Sequence, residues 1–268
     1  MEHGAQADAG SGRVRASLHL SVRISSRDML DCAMTLERWH ALGNSYLLAD
    51  GADLLADDVQ GLVVGTDGIV QVVASGPDWA EVVIWNPDGS TAEMSGNGTR
   101  IAARWLAERS GAEEVRIRVG PREVRARLLS GADVEQDLGR VDVGKPETID
   151  GIEFVPVSVG NPHAVVRGAL EQIAEIGPLL ETHPRFPERT NVQVVQVDRA
   201  GEVTARVWER GVGETTASGT SAVAVAAATH DEGEVLVHFP GGDLRVRLVS
   251  GRAYLTGPAE RVTSFRST

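Results

Sequence analysis

Two short glycine-rich loops carry the residues best suited to chemistry: Ser95-Gly96-Asn97-Gly98-Thr99 and Ser218-Gly219-Thr220-Ser221. Each stands directly before a run that reads as a helix, Ile101 to Ala107 in one case and Ala222 to Ala228 in the other. Glycine lets the backbone turn tightly, and the first N–H groups of a helix have no partner within it. Together with the helix dipole, those groups favour a carboxylate or a phosphate. Taken singly, each serine reads as an N-cap. Two such loops at matching places in one chain read instead as a cleft with paired anion cradles. Other polar residues flank them. His163, after Gly160-Asn161-Pro162, reads equally as a site residue or a turn residue. Glu209-Arg210 lies just ahead of the second loop, where an isolated surface ion pair would contribute little. Asn86, before Pro87-Asp88-Gly89, is as good a turn former as a binding group.

Several chemistries are excluded by pattern. Neither loop ends in the Gly-Lys-Ser/Thr of a phosphate-binding Walker loop, and no Gly-x-Gly-x-x-Gly follows an opening strand. The seven histidines include no pair at metal-ligand spacing, and the single cysteine, Cys32, forms no cluster, so no metal is expected. The Gly-x-Ser-x-Gly elbow of a serine hydrolase is also missing.

The elements that position the loops repeat once along the chain. Gly43-Asn44-Ser45-Tyr46 is echoed by Gly160-Asn161-Pro162-His163, Trp85-Asn86 by Trp208-Glu209, and the first serine loop by the second. After each expected helix comes an alternating strand, Glu114 to Val119 and Glu234 to Phe239. Each turns and returns through Glu123 to Leu128 and Asp243 to Leu248. Such alternation marks half-buried antiparallel strands. The expectation is a duplicated α/β (α+β) body with the shared site between its halves. Residues 1–33 read as a leader outside the fold, with 34–148 and 149–268 as the two domains and the last strand free to cross to the other domain.

Composition fits a globular enzyme-sized chain: 268 residues, 42% hydrophobic and 24% charged. A net charge of −12 argues against a nucleic-acid partner. No apolar run approaches the roughly 20 residues that span a bilayer. One cysteine and no signal-like segment point to the cytoplasm.

From about Met34 to the C-terminus, in order, the chain resembles the diaminopimelate epimerase family. The resemblance rests on Leu42-Gly43-Asn44, Asn86-Pro87-Asp88-Gly89-Ser90, Ala92-Glu93-Met94 with Gly96-Asn97-Gly98, Gly160-Asn161-Pro162-His163, Asn191-Val192, and Trp208-Glu209-Arg210-Gly211-Val212-Gly213-Glu214-Thr215. It implies two pseudo-symmetric domains, each a curled, mostly antiparallel sheet around a central helix. The implied activity is cofactor-independent inversion of one α-carbon, interconverting LL- and meso-diaminopimelate for lysine and cell-wall synthesis. By the same resemblance Asn44, Asn86, Asn161 and Asn191 bind the substrate's ammonium and carboxylate groups. Gly96-Asn97 and Gly219-Thr220 cradle the carboxylate at the reacting carbon, and Glu209 and Arg210 supply charge recognition. The partner is a small zwitterionic amino acid, and family habit suggests a homodimer.

One departure stands out. The family's two catalytic residues are cysteines, and Ser95 and Ser218 occupy those places. A thiol with pKa near 8.5 can serve as both thiolate and thiol. A serine hydroxyl stays protonated unless a base assists it, and no base is evident in the matched motifs. The serines are then introduced by design, or natural in an enzyme that runs slowly or with another base, or marks of a retuned relative. The rival functions are another racemase, dehydratase or isomerase of the same fold, such as the proline racemase group, and an amino-acid-binding pseudoenzyme.

Overall fold

The computed structural model describes residues 35–266 apart from positions 52, 64 and 93. The expected leader, with Cys32, lies outside the described residues. In the first half, β1 (Thr35–Ala41) and β2 (Asn44–Asp50) form a hairpin, and α1 (Ala56–Leu62) crosses over to β3 (Gly68–Ser75), parallel to β2. Strand β4 (Trp79–Trp85) returns antiparallel to β3. The two-residue β5 (Thr91–Ala92) then leads into α2 (Gly96–Ser110). Strand β6 (Glu114–Val119) lies parallel to β4, and β7 (Arg122–Leu128) and β8 (Asp133–Arg140) continue antiparallel.

After two short strands, β9 (Asp142–Val143) and β10 (Glu147–Ile149), the same order returns. Hairpin β11 (Ile152–Ser158) and β12 (Pro162–Arg167) crosses through α3 (Ile173–Glu181) to β13 (Asn191–Arg199), parallel to β12. Then come β14 (Glu202–Glu209), the short β15 (Gly213–Thr215) and α4 (Gly219–Thr229). Strand β16 (Gly233–Phe239) is parallel to β14, with β17 (Gly242–Val249) and β18 (Arg252–Pro258) following antiparallel. The final strand, β19 (Glu260–Arg266), leaves this half and pairs with β1. Strands β8 and β18 pair with each other, so one ladder runs through both halves.

Alternation explains the strands. In β6, Val115, Ile117 and Val119 are buried while Arg116 and Arg118 lie outward; in β17, Leu244, Val246 and Leu248 do the same between Arg245 and Arg247. Each half wraps its sheet around one helix. Helix α2 buries Ile101, Trp105 and Leu106 against β-strand residues such as Val82, Ile84 and Ile117. Helix α4 is buried through Ala222-Val223-Ala224-Val225-Ala226 against Val207, Val237 and Leu244. Its small side chains let the sheet close tightly on it. Helix α2 stops at Gly111, whose φ of 75° supplies the left-handed cap.

The hairpin tips clasp the opposite halves. The β1–β2 turn is Leu42-Gly43, both with positive φ as a two-residue turn of the favoured hand requires. Gly43 lies against Thr216 and Gly241, so close that a Cβ there would be 3.0 Å from the Thr216 hydroxyl. The matching β11–β12 tip presents the Gly160 carbonyl to the Arg122 guanidinium of the first half (2.7 Å). Ion pairs Arg247–Glu135 and Arg252–Asp137 add polar links along the β8–β18 seam.

Candidate active site

Ser95 and Ser218 are the N-caps of α2 and α4, and the two helices meet end to end at their first residues. A Cβ built on Gly96 would lie 3.3 Å from the Gly219 Cα, and one on Gly219 would lie 3.3 Å from the Gly96 Cα. Glycine at both positions makes that close approach easy. Two helix N-termini, with their free N–H groups and dipoles, therefore converge on one point between the halves. Such a point attracts an anion and repels a cation.

A buried cation adds to that field. Arg100, one turn into α2, is fully buried and donates to the Asn97 side chain. Its Nε and Nη1 have no hydrogen-bond partner among the described residues. A Cβ on Gly219 would come within 3.5 Å of that Nη1. Burial lowers the Arg100 pKa to about 10, which leaves it charged at neutral pH. Buried, partly unpaired arginine is uncommon because desolvating the charge costs several kcal/mol.

The serines differ in their surroundings. Ser95 Oγ accepts the Gly98 N–H (3.1 Å), as an N-cap does, and lies 3.3 Å from the Tyr46 hydroxyl on β2. Ser218 makes no side-chain cap bond. The nearby Glu209 carboxylate, whose pKa the Ser218 hydroxyl helps to lower, takes the Thr215 hydroxyl at 2.6 Å. Burial raises the Glu209 pKa, and these two hydroxyls and a nearby Asp67 act on it with smaller effect. Burial likewise pushes the Tyr46 phenol up, reinforced by Glu209 and Asp67 and opposed by Ser95 and Arg100.

The remaining polar residues of the sequence analysis gather unevenly. Asn44, at the tip that crosses between halves, reaches the Ala217 carbonyl beside Ser218 (3.5 Å). Asn161 reaches the Thr220 hydroxyl (3.5 Å). Asn191 bridges two loops, donating to the Pro162 carbonyl and accepting the Arg210 N–H, each at 3.0 Å. The Arg210 guanidinium itself turns to the Glu188 carbonyl at the surface. Asn86 is engaged in its own turn, bonded through backbone and side chain to Ser90. Buried His163 is bonded to Asn161 (3.0 Å) and Gln193 (3.1 Å), and Gln193 also donates to Ser221 on α4. Burial drives the His163 pKa down to about 3, so it is neutral. Two residues that now belong to this site, Tyr46 and Arg100, were not singled out by their sequence context. The position of Tyr46 within the repeated Gly-Asn-x-x tip was the available signal.

The diaminopimelate epimerase family model matches the chain twice, over residues 42–149 and 155–262. The chain belongs to the diaminopimelate epimerase family. Membership places it among the isomerases, and the double match is the duplication seen in the strand order. Diaminopimelate epimerases of Desulforudis audaxviator and Pelotomaculum thermopropionicum are each 37% identical to it, over 85% and 86% of this chain and 97% and 98% of theirs. Among solved structures, a predicted epimerase from Pseudomonas aeruginosa superposes with a TM-score of 0.71 at 16% identity, covering 88% of this chain and 99% of that one. A hydroxyproline epimerase from Agrobacterium vitis gives 0.63 at 17% identity, over 87% and 90%. These likenesses show the shared two-part fold. No helix among the described residues of this family member is long and apolar enough to cross a membrane.

Proposed function

We propose that this protein inverts the α-carbon of diaminopimelate, LL to meso and back, without a cofactor, using Ser95 and Ser218 on opposite faces of the substrate. The observation that carries the reading is the abutment of Gly96 and Gly219, which joins two helix N-termini into one cradle. A substrate carboxylate bound there would be held by backbone N–H groups. As the α-proton leaves, the electron pair delocalises onto that carboxylate, and fixed donors already aimed at it stabilise the added charge. Arg100 supplies further positive potential from beneath.

The serine chemistry needs a base, and we assign that part to Glu209, whose pKa the Ser218 hydroxyl influences. An adjacent base is the usual way a hydroxyl is activated. Asn44, Asn161 and Asn191 would bind the polar groups of the substrate, with Asn86 and Arg210 reaching it only after leaving their present partners. A cytoplasmic homodimer belongs to the same reading; light scattering on purified protein tests the dimer.

The test of function is α-proton exchange. Incubated with LL-diaminopimelate in deuterated water, the protein should place deuterium at the α-carbon and form the meso isomer. The paired serines favour one rival, a binding protein that turns nothing over. Tight binding of diaminopimelate with no α-deuteration would establish that rival instead.

A further inference from the structure

The two serines share a place in the repeat but not a hydrogen-bond pattern, and the difference falls at the one atom of each that would meet substrate. Ser218 makes no side-chain cap bond, which leaves its oxygen lone pairs free, and its hydroxyl is near enough to the Glu209 carboxylate to help lower that group's pKa. Ser95 Oγ already accepts the Gly98 N–H, and its second neighbour is the Tyr46 hydroxyl at 3.3 Å. A phenol is a far stronger acid than an alkanol, so Tyr46 is the donor of that pair. Serine oxygen has two acceptor sites and one hydrogen. With both acceptor sites of Ser95 filled, the group left to face the cleft is its O–H.

We propose that Tyr46 is the proton source behind Ser95, so that the Ser95 face delivers a proton to the α-carbon and the Ser218–Glu209 face removes one. Tyr46 reaches substrate only through Ser95 and is in that sense a positioning residue. The proposal rests on the epimerase reading given above and assigns each face its task.

The proton balance closes. Ser218 Oγ takes the α-proton as its own hydrogen passes to the Glu209 carboxylate, and the C–H electron pair moves onto the substrate carboxylate. Ser95 Oγ–H then protonates the opposite face of the carbon and takes the Tyr46 hydrogen in its place. The enzyme is left with a neutral Glu209 and a Tyr46 phenolate. That phenolate lies within the field of the buried Arg100, whose Nε and Nη1 are unpartnered among the described residues. In this protonation state the machinery is set to run the opposite inversion. Proton exchange with water after product release restores the starting form. Burial above all, with Glu209 and Asp67, opposes the phenolate, while Ser95 and Arg100 favour it, so the neutral phenol is the resting form.

The consequence is a separation of exchange from inversion. Tyr46→Phe keeps the ring and its packing on β2 and removes only the hydroxyl. Of the LL and meso isomers, the one whose α-proton faces Ser218 should still exchange it for deuterium, within about threefold of the unaltered protein. Its inversion should fall by about 10²-fold or more, the usual contribution of an acid–base group. Ser95→Ala should give the same pattern. Glu209→Gln should lose exchange as well as inversion of that isomer. Deuterium content by mass spectrometry and isomer ratio by chiral chromatography are read from the same samples, with both isomers as starting material. A Tyr46→Phe protein that inverts both isomers within threefold of the unaltered protein overturns the proposal. So does one that loses exchange and inversion in equal measure, since that is what a packing role would produce. If the unaltered protein neither exchanges nor inverts diaminopimelate, the epimerase reading itself fails, and this assignment of faces with it.

Discussion

Ser95 and Ser218 show how far one atom's chemistry depends on its neighbours. Replacing both by cysteine should raise diaminopimelate epimerisation, because a thiol ionises near pH 8.5 and needs less help than a hydroxyl. Each single replacement should help much less, since inversion needs an acid on one face and a base on the other. Groups that act as a unit are non-additive in this way. Binding should hardly change, as the cradle is backbone. Steady-state rates and calorimetric binding of the three variants check this. His163 offers a test by pH. Its pKa is near 6.5 in the unfolded chain and about 3 in the folded one, where it stays neutral. The unfolded state therefore binds the extra proton. The contribution of neutral His163 is fully present above pH 6.5 and falls by about 1.4 kcal/mol for each unit below it, down to about pH 3. Urea unfolding between pH 7.5 and 5 should show that slope, and His163→Gln should lack it. Neither Tyr46 nor Arg100 was legible as a site residue. Tyr46 meets Ser95 from strand β2, and an arginine one turn into a helix reads as surface until the sheet is seen to close around α2.

At the level of elements, the repeat was readable because its loops carry rare residue types and its strands alternate. Glu114–Val119 is a strand as the alternation predicts, and the two glycine-rich loops start the two central helices. The crossover helices α1 and α3 were not anticipated; α1 is a single seven-residue segment too short for a clear helical period. Nor does alternation reveal which strand pairs with which, so the β8–β18 seam came only with the structure. The contact between α2 and α4 leaves little room for a side chain. Gly219→Ala would push a Cβ to 2.9 Å from a Leu255 methyl and 3.3 Å from the Gly96 backbone. Leucine can rotate away; the helix backbone cannot. The expected cost is about 1–3 kcal/mol, the usual range for overpacking. Activity should fall tenfold or more, because the N–H donors would be forced out of register. Melting and initial rates on one preparation separate the two effects.

Across the whole molecule, the halves have separate cores but a common ladder. Each hairpin tip leans on the opposite half, β8 joins β18, and β19 returns to β1. A lesion in either core should therefore unfold both. Leu244→Ala, fully buried beside α4, should cost about 2–5 kcal/mol. Calorimetry should show one transition at a lower temperature. A split into two, with one half melting as before, would mean that the seam does not couple them.

The pairing of β19 with β1 also bears on the covalent order of the chain. Thr35 and Arg266 stand opposite each other in the ladder, so the two ends of the described body are neighbours in space. Such a body is topologically close to a ring. Joining those ends by a short linker and opening the chain at the exposed Gly144-Lys145 segment would make the second half the first to be synthesised. No strand would change partner. Circular permutation of this kind leaves the helix-to-helix cradle intact, since that cradle depends on contact between the halves and not on which of them comes first.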